Sequence, residues 1–198
     1  MNRRTPSGAA VLRPGITAAI TDTVLAELVE RGYARLSMEG VAKRAGAGKS
    51  ALYRRWHTKQ EMVLAVLAEL SVPLADVEDT GSLRDDLRAM IGAVAAWLTE
   101  PPFSRILPDL TAEANRTPEL AEAVAATIGE PRRALARPTL ERAIARGDLP
   151  ADTDLEMAQD LMAALIYWRL VVRQAPAEPD YLDRVTETVL RALGASTK

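Results

Sequence analysis

The sequence predicts an all-α fold, in which a short helix-turn-helix unit is followed by a larger helical body. Two observations carry this. Aromatic residues make up only 4% of the 198 residues while alanine and leucine are abundant, a composition suited to helix packing rather than to sheets. Between the prolines and glycines, apolar residues recur at spacings of three and four, the period of a helix with one buried face.

Ile16, Ile20, Val24 and Leu28 repeat every four residues and predict a first helix ending near Arg31-Gly32, where glycine is a stop signal. Met38, Val41, Ala42 and Ala45 fall at i, i+3, i+4 and i+7 and predict a second helix, with Ser37 as its N-cap. Ala45-Gly46-Ala47-Gly48 then lets the chain turn sharply and two helices approach closely. A third helix from Lys49 to Trp56 turns Ala51, Leu52 and Trp56 inward. Thr58 and Glu61 have capping-box spacing and open a fourth, which buries Met62, Val63, Val66, Leu67 and Leu70 and runs to Pro73.

The signals restart at Ser82 and Asp85, which cap and charge a helix whose stripe is Leu83, Leu87, Met90, Ile91, Val94, Trp97 and Leu98, up to Pro101-Pro102. A short helix covers Phe103 to Asn115. Thr117-Pro118-Glu119 starts another, which Gly129 and Pro131 are expected to interrupt. A helix reaching Arg146-Gly147 follows, and Pro138 inside it predicts either a kink or a later start. The last two run from about Asp154 to Arg173 and from about Tyr181 to Leu193, the latter closed by Gly194. Leu155, Leu161, Met162, Leu165, Ile166, Trp168 and Val172 wrap more than one side of the first of these, enough for an internal core and an external partner together.

The second and third helices and their glycine-bearing turn, Ser37 to Trp56, have the plan of a DNA-binding helix-turn-helix. Lys49, Ser50, Tyr53, Arg54 and Arg55 are left for the outer face of the third helix and its flanks, with donors for guanine edges and phosphate oxygens. In these residues the chain resembles the amino-terminal domain of the TetR family of bacterial transcription regulators. Gly32-Tyr33, Leu36-Ser37-Met38, Val41-Ala42, Ala45-Gly46, Leu52-Tyr53, Trp56 and Lys59 fall where that family places similar residues, and the similar region spans about Ile16 to Leu70. The remainder, through Arg132-Arg133 and the segment Ala143 to Asp148, resembles one of the family's variable carboxy-terminal domains.

The resemblance implies a sequence-specific transcription regulator without enzymatic activity or cofactor, a repressor released from its DNA by a small molecule of unknown identity. Residues 1–60 would form the DNA-binding domain, with 1–14 a flexible basic arm, and residues 61–198 the effector-binding and dimerisation domain. The two C-terminal helices would pair across a two-fold axis as a four-helix bundle. The homodimer would then present two recognition helices to adjacent half-sites of a near-palindromic double-stranded operator. Two departures from the family pattern stand out. Gly48 replaces a serine common at the start of the recognition helix, and brings no hydroxyl to a phosphate. Ser50 stands where glycine is frequent, and either faces DNA or simply sits at the turn.

Each candidate DNA contact has a plainer alternative. Lys49 and Arg54 donate either to guanine O6 and N7 or to phosphates. Tyr53 places its hydroxyl on a phosphate, as the resemblance implies, or serves only the core. Lys59, in the first turn of the fourth helix, combines an ammonium with exposed N–H groups to hold a phosphate. Ser37 does likewise at the second helix or only caps it. Arg44 and Arg55 are phosphate clamps or solvated charges, and His57 is a phosphate contact or a surface residue, since no serine, cysteine or carboxylate is placed to make a triad with it. Arg3, Arg4 and Arg13 form a basic arm that enters the minor groove or stays disordered.

Charge is divided unevenly. Residues 1–59 hold 11 Lys+Arg against 4 Asp+Glu, and residues 60–198 hold 14 against 23. A basic head is drawn to DNA by counterion release and an acidic body is repelled from it. That balance also suits a non-specific DNA-coating protein. A third class, a nucleotide-dependent enzyme, is suggested by Gly48-Lys49-Ser50, the ending of a phosphate-binding loop; the glycine required five positions earlier is Lys43, and the preceding residues have helical periodicity. With no cysteine and only His57, no disulfide framework or usual zinc centre is expected. The absence of a signal-like segment or a long apolar run predicts a soluble cytoplasmic protein that does not enter a membrane. In the body, the resemblance implies that the helices carrying Met90, Trp97, Phe103, Leu107, Met162 and Trp168 surround a ligand pocket, with simple core packing as the alternative.

Overall fold

The computed structural model describes residues 14–71 and 78–196, and every regular element among them is helical. The basic arm carrying Arg3, Arg4 and Arg13, and the stop expected at Pro73, lie outside the described residues. Two compact units divide the chain, one ending at Val63 and the other beginning at Leu64.

In the first unit, α1 (Pro14–Arg35) buries Ile20, Val24 and Leu28. Gly32 breaks the helix at φ 76° and ψ 169°, yet one further turn carries it to Arg35, beyond the expected stop. Without a Cβ, Gly32 accepts that conformation. The Leu36 N–H closes the extra turn on the Tyr33 carbonyl at 3.3 Å, and Tyr33 and Leu36 are both buried. α2 (Met38–Arg44) starts at Ser37, whose Oγ accepts the Gly40 N–H at 3.1 Å. Gly46 makes the turn in the left-handed region at φ 63°, and the Ala45 and Ala47 N–H groups satisfy the Val41 and Ala42 carbonyls, each at 2.9 Å. Gly48, by contrast, is extended at φ −66°, where any residue fits.

α3 (Lys49–Arg55) buries Leu52 against α2 and ends at the buried Trp56. α4 (Lys59–Ser71) opens with Thr58 Oγ1 accepting the Glu61 N–H at 3.1 Å. The Glu61 carboxylate reaches back to the His57 N–H at 2.8 Å rather than to that of Thr58, so the box closes one residue earlier than the sequence pattern implies.

The second unit is built around α5 (Leu83–Thr99), with the helices Glu130–Arg146, Leu155–Tyr167 and Pro179–Ala192 packed on it; Leu87, Ile91, Leu140, Ala143, Ile166 and Val189 form the centre of that core. Ser82 caps α5 by accepting the Asp85 N–H at 3.3 Å. Nearby, the fully buried Asp86 accepts the Thr80 N–H at 2.9 Å and the Thr80 hydroxyl at 2.6 Å, pinning the chain just before the helix. α6 is Phe103–Ala114 and α7 is Pro118–Val124.

The interruption expected at Gly129 and Pro131 does not occur. α7 continues through a wide turn, Ala125–Gly129, into α8 (Glu130–Arg146), and Gly129 is itself helical at φ −62° and ψ −60°. Pro131 has no N–H to return to the Thr127 carbonyl and its ring crowds that oxygen, which favours a widened turn. The Glu130 N–H then bonds the Ala125 carbonyl five residues back. Because α8 begins at Glu130, Pro138 does not delay its start. Gly147, left-handed at φ 78°, closes α8. α9 (Leu155–Tyr167) likewise runs into a wide-turn segment, Trp168–Val172, and α10 covers Pro179–Ala192.

Candidate nucleic-acid interface

α3 is an exposed rod on a buried anchor. Leu52 is fully buried, while Lys49, Ser50, Tyr53 and Arg54, at i, i+1, i+4 and i+5, are all exposed and share one face. Glu39, in the first turn of α2, organises half of that face. Its Oε1 lies 2.9 Å from Lys49 Nζ and accepts the Tyr53 hydroxyl at 3.1 Å. The hydrogen bond from Lys49, with further ones from its own backbone N–H and Tyr53, holds the Glu39 carboxyl below the usual range. The same contact raises the Lys49 ammonium, and Tyr53 is raised first by burial and then by Glu39. Arg54 pairs with no described residue and is left to meet a ligand. An exposed cationic and hydroxyl-bearing helical face is suited to phosphate oxygens and base edges.

Other cations of the head turn inward. Arg44 forks onto Glu30 at 2.7 and 2.8 Å and donates to the buried Glu27 at 3.0 Å, so its guanidinium fastens the end of α2 to α1. A phosphate clamp at Arg44 would require this network to open, because Glu27 is shielded from water and needs a cation. Lys59 Nζ donates to the Tyr33 carbonyl at 3.0 Å and lies 4.3 Å above the Tyr33 ring. It is drawn to the carbonyls that end α1, at the negative end of the helix dipole, and would have to leave them to hold a phosphate. Arg55 stacks on Trp56 at 4.5 Å and donates to Thr17 Oγ1 at 3.2 Å.

His57 is exposed, with Nδ1 3.5 Å from Glu61 Oε2. Ser37 uses its hydroxyl as a cap, and Gly48 caps α3 without a side chain. Gly48-Lys49-Ser50 follows a helix, and among the described residues there is no strand to support a phosphate-binding loop. Glu39, which periodicity marks only as a polar position, is the residue that sequence reasoning missed; its placement in the first turn of a helix preceding two donors was the available signal.

The second unit contains a cavity of about 300 Å³. Of the six residues proposed from the sequence, Met90, Trp97, Leu107 and Met162 line it. Phe103 is buried behind Trp97, ring centroids 6.0 Å apart, and Trp168 is 58% exposed on the surface. The wide turn contributes Ala125, Ile128 and Gly129 to the wall. Ile128, Arg132 and Ala136 recur every four residues along it, a period that could have exposed Arg132 as a wall residue from the sequence. No helix among the described residues is long and apolar enough to cross a membrane, and none of their acidic or histidine side chains group as a metal site would require.

The signature described as bacterial regulatory proteins of the tetR family matches residues 20–66, and that of the tetracyclin repressor-like C-terminal domain matches residues 77–189. A DNA-binding transcriptional repressor TetR of Mycobacteroides abscessus is 32% identical over 178 residues, which is 89% of this chain and 93% of that protein. An uncharacterised HTH-type transcriptional regulator of Mycobacterium tuberculosis is 29% identical over 86% of this chain and 84% of its own. The crystal structure of a TetR family transcription regulator, 28% identical, superposes with a TM-score of 0.73 over 89% of this chain and 97% of that one. Salmonella enterica GusR shares the fold, with a TM-score of 0.75 at 20% identity over 94% of this chain and all of that one. A helix-turn-helix head followed by a cavity-bearing helical body defines a class of DNA-binding transcription regulator. The chain belongs to the TetR family of that class.

Proposed function

We propose that this regulator is a cytoplasmic, ligand-released repressor that binds a near-palindromic operator as a homodimer and has no enzymatic activity. Residues 1–60 read DNA and residues 61–198 hold the effector and the dimer contact. The observation that carries the reading is the shared exposed face of Lys49, Ser50, Tyr53 and Arg54 on α3. Arg54 reads a base edge, while Lys49 and Tyr53 meet phosphates after exchanging Glu39 for DNA oxygens, with Ser37, Ser50 and His57 at the margins of the contact.

A second copy accounts for α9. Met157, Leu161, Ala164, Trp168 and Val172 follow one another at three- and four-residue steps, and Met157, Trp168 and Val172 are each more than half exposed. An exposed apolar stripe of that length suits a self-complementary two-fold interface, with α10 beside it. An effector in the cavity bound more tightly by the DNA-incompetent dimer would shift occupancy with about 1–3 kcal/mol of coupling.

Selection of bound fragments from a random DNA pool at physiological salt tests the proposal, with Tyr53→Ala as control. Recovery of a two-fold-related motif by the wild type supports it. Binding of all sequences alike, with a steep salt dependence, would instead make the chain a DNA-coating protein.

A further inference from the structure

The wall of the cavity in the second unit is apolar except for Arg132, Arg133 and Gln159, and it contains no acidic side chain. Arg133 is already neutralised, with Nη1 2.6 Å from Asp160 Oδ1. Gln159 is held by the bond from its amide to the Arg133 carbonyl at 3.3 Å. Arg132 differs from both. Its guanidinium lies 4.1 Å above the Trp97 ring and makes one hydrogen bond, from Nη1 to the Ser71 carbonyl, out of five possible N–H donors. No described carboxylate faces it. Trp97 adds a buried indole N–H with no acceptor to the same wall.

A largely buried cation without a counterion is costly, and its cost is removed by an anion that enters with it. We infer that the cavity takes a small organic acid, its carboxylate forked on Arg132 and its ring or chain against Met90, Val94, Leu107, Ile128 and Met162. The volume matches a small-molecule site, and a planar guanidinium is matched to a carboxylate by two parallel hydrogen bonds. Burial pulls the Arg132 guanidinium down to about 10, which still leaves it charged at neutral pH. An alkylamine is excluded by like charge, and a neutral amide leaves the cation unpaired. The assignment rests on the reading of this cavity as the effector site.

Calorimetric titration of the full-length protein with 4-phenylbutanoate, 4-phenylbutanamide and 4-phenylbutylamine tests it. The acid is expected to bind more tightly than the amide by about tenfold or more, as suits hydrogen bonds to a charged group, and the amine not at all. Arg132→Met should remove the preference for the acid while leaving amide binding in place. Arg132→Lys, which keeps the charge without the fork, should retain the preference at weaker affinity, and covers the case in which the methionine variant does not fold. Equal binding of acid and amide, preference for the amine, or no binding of any of the three overturns the inference. A parallel titration of the acid into the DNA complex separates the two proposals. Acid binding without DNA release would sink the ligand-release reading and leave this one standing. Release by a neutral compound alone would do the reverse.

Discussion

Glu39 Oε1 lies 2.9 Å from Lys49 Nζ, joining the first turn of α2 to the first turn of α3 across the glycine turn. The same oxygen accepts the Tyr53 hydroxyl, so one carboxylate positions two donors on the face assigned to DNA. It also sets a negative charge where phosphates would approach, which disfavours indiscriminate binding. Glu39→Gln should therefore raise affinity for random DNA, steepen its salt dependence by about one released counterion, and narrow the gap between operator and random sequence. Fluorescence anisotropy over a range of salt concentrations on both DNAs reads all three. An unchanged slope would mean that Lys49 reaches no phosphate.

Arg54 shares that face and has no described partner to leave behind, so its truncation reports directly on DNA. If it forks onto a guanine, Arg54→Ala should cost about 1–3 kcal/mol on the operator and relax one base position per half-site. Binding to a panel of single-base operator variants would show it. A loss that is uniform across the panel would assign Arg54 to the phosphate backbone.

Arg44, though exposed, is assigned to bracing α2 on α1. Arg44→Ala leaves the buried Glu27 with Arg31 alone, 3.2 Å away, and should lower the melting temperature far more than Arg35→Ala at an exposed site without a described partner. The hydrogen bond from Arg44 also holds Glu30 below its ordinary value of 4.5. A depressed folded-state carboxylate stabilises above the unfolded value, and that stability is lost as pH falls through the folded one. Thermal melts should thus be flat above pH 4.5 and decline below it, with a smaller acid-side decline in Glu30→Gln.

Trp168, 58% exposed where α9 runs on into the Trp168–Val172 turn, should anchor the partner subunit. Sedimentation of Trp168→Asp is expected to show monomers where the wild type is dimeric, with the helical content unchanged. A dimeric Trp168→Asp would place the contact elsewhere, and a wild-type monomer would remove the dimer altogether.

The helical architecture was legible because its causes are local. The stripe of Met38, Val41 and Ala42, the Ser37 cap and the glycine at position 46 each act within a few residues, and each is found as the pattern implied. Long-range partners were not legible. Arg44 reads as a surface cation until α1 brings Glu27 and Glu30 beside it, and Lys59 until the end of α1 presents its carbonyls. The wide turn at Ala125–Gly129 escaped for a related reason. A glycine and a proline read as breakers locally, but the widened turn accommodates the proline's missing N–H and the helix continues through them. The resemblance sets Trp168 on a helix beside the pocket but does not say which face of that helix meets the core and which is left open.

Hydroxyl-radical footprinting of the wild-type protein on a fragment recovered from the random pool is the most direct test of a dimer reading DNA through α3. The expected result is two protected stretches related by two-fold symmetry, centred on the two half-sites of the selected motif. A single protected stretch, or protection spread evenly along the fragment, would contradict it.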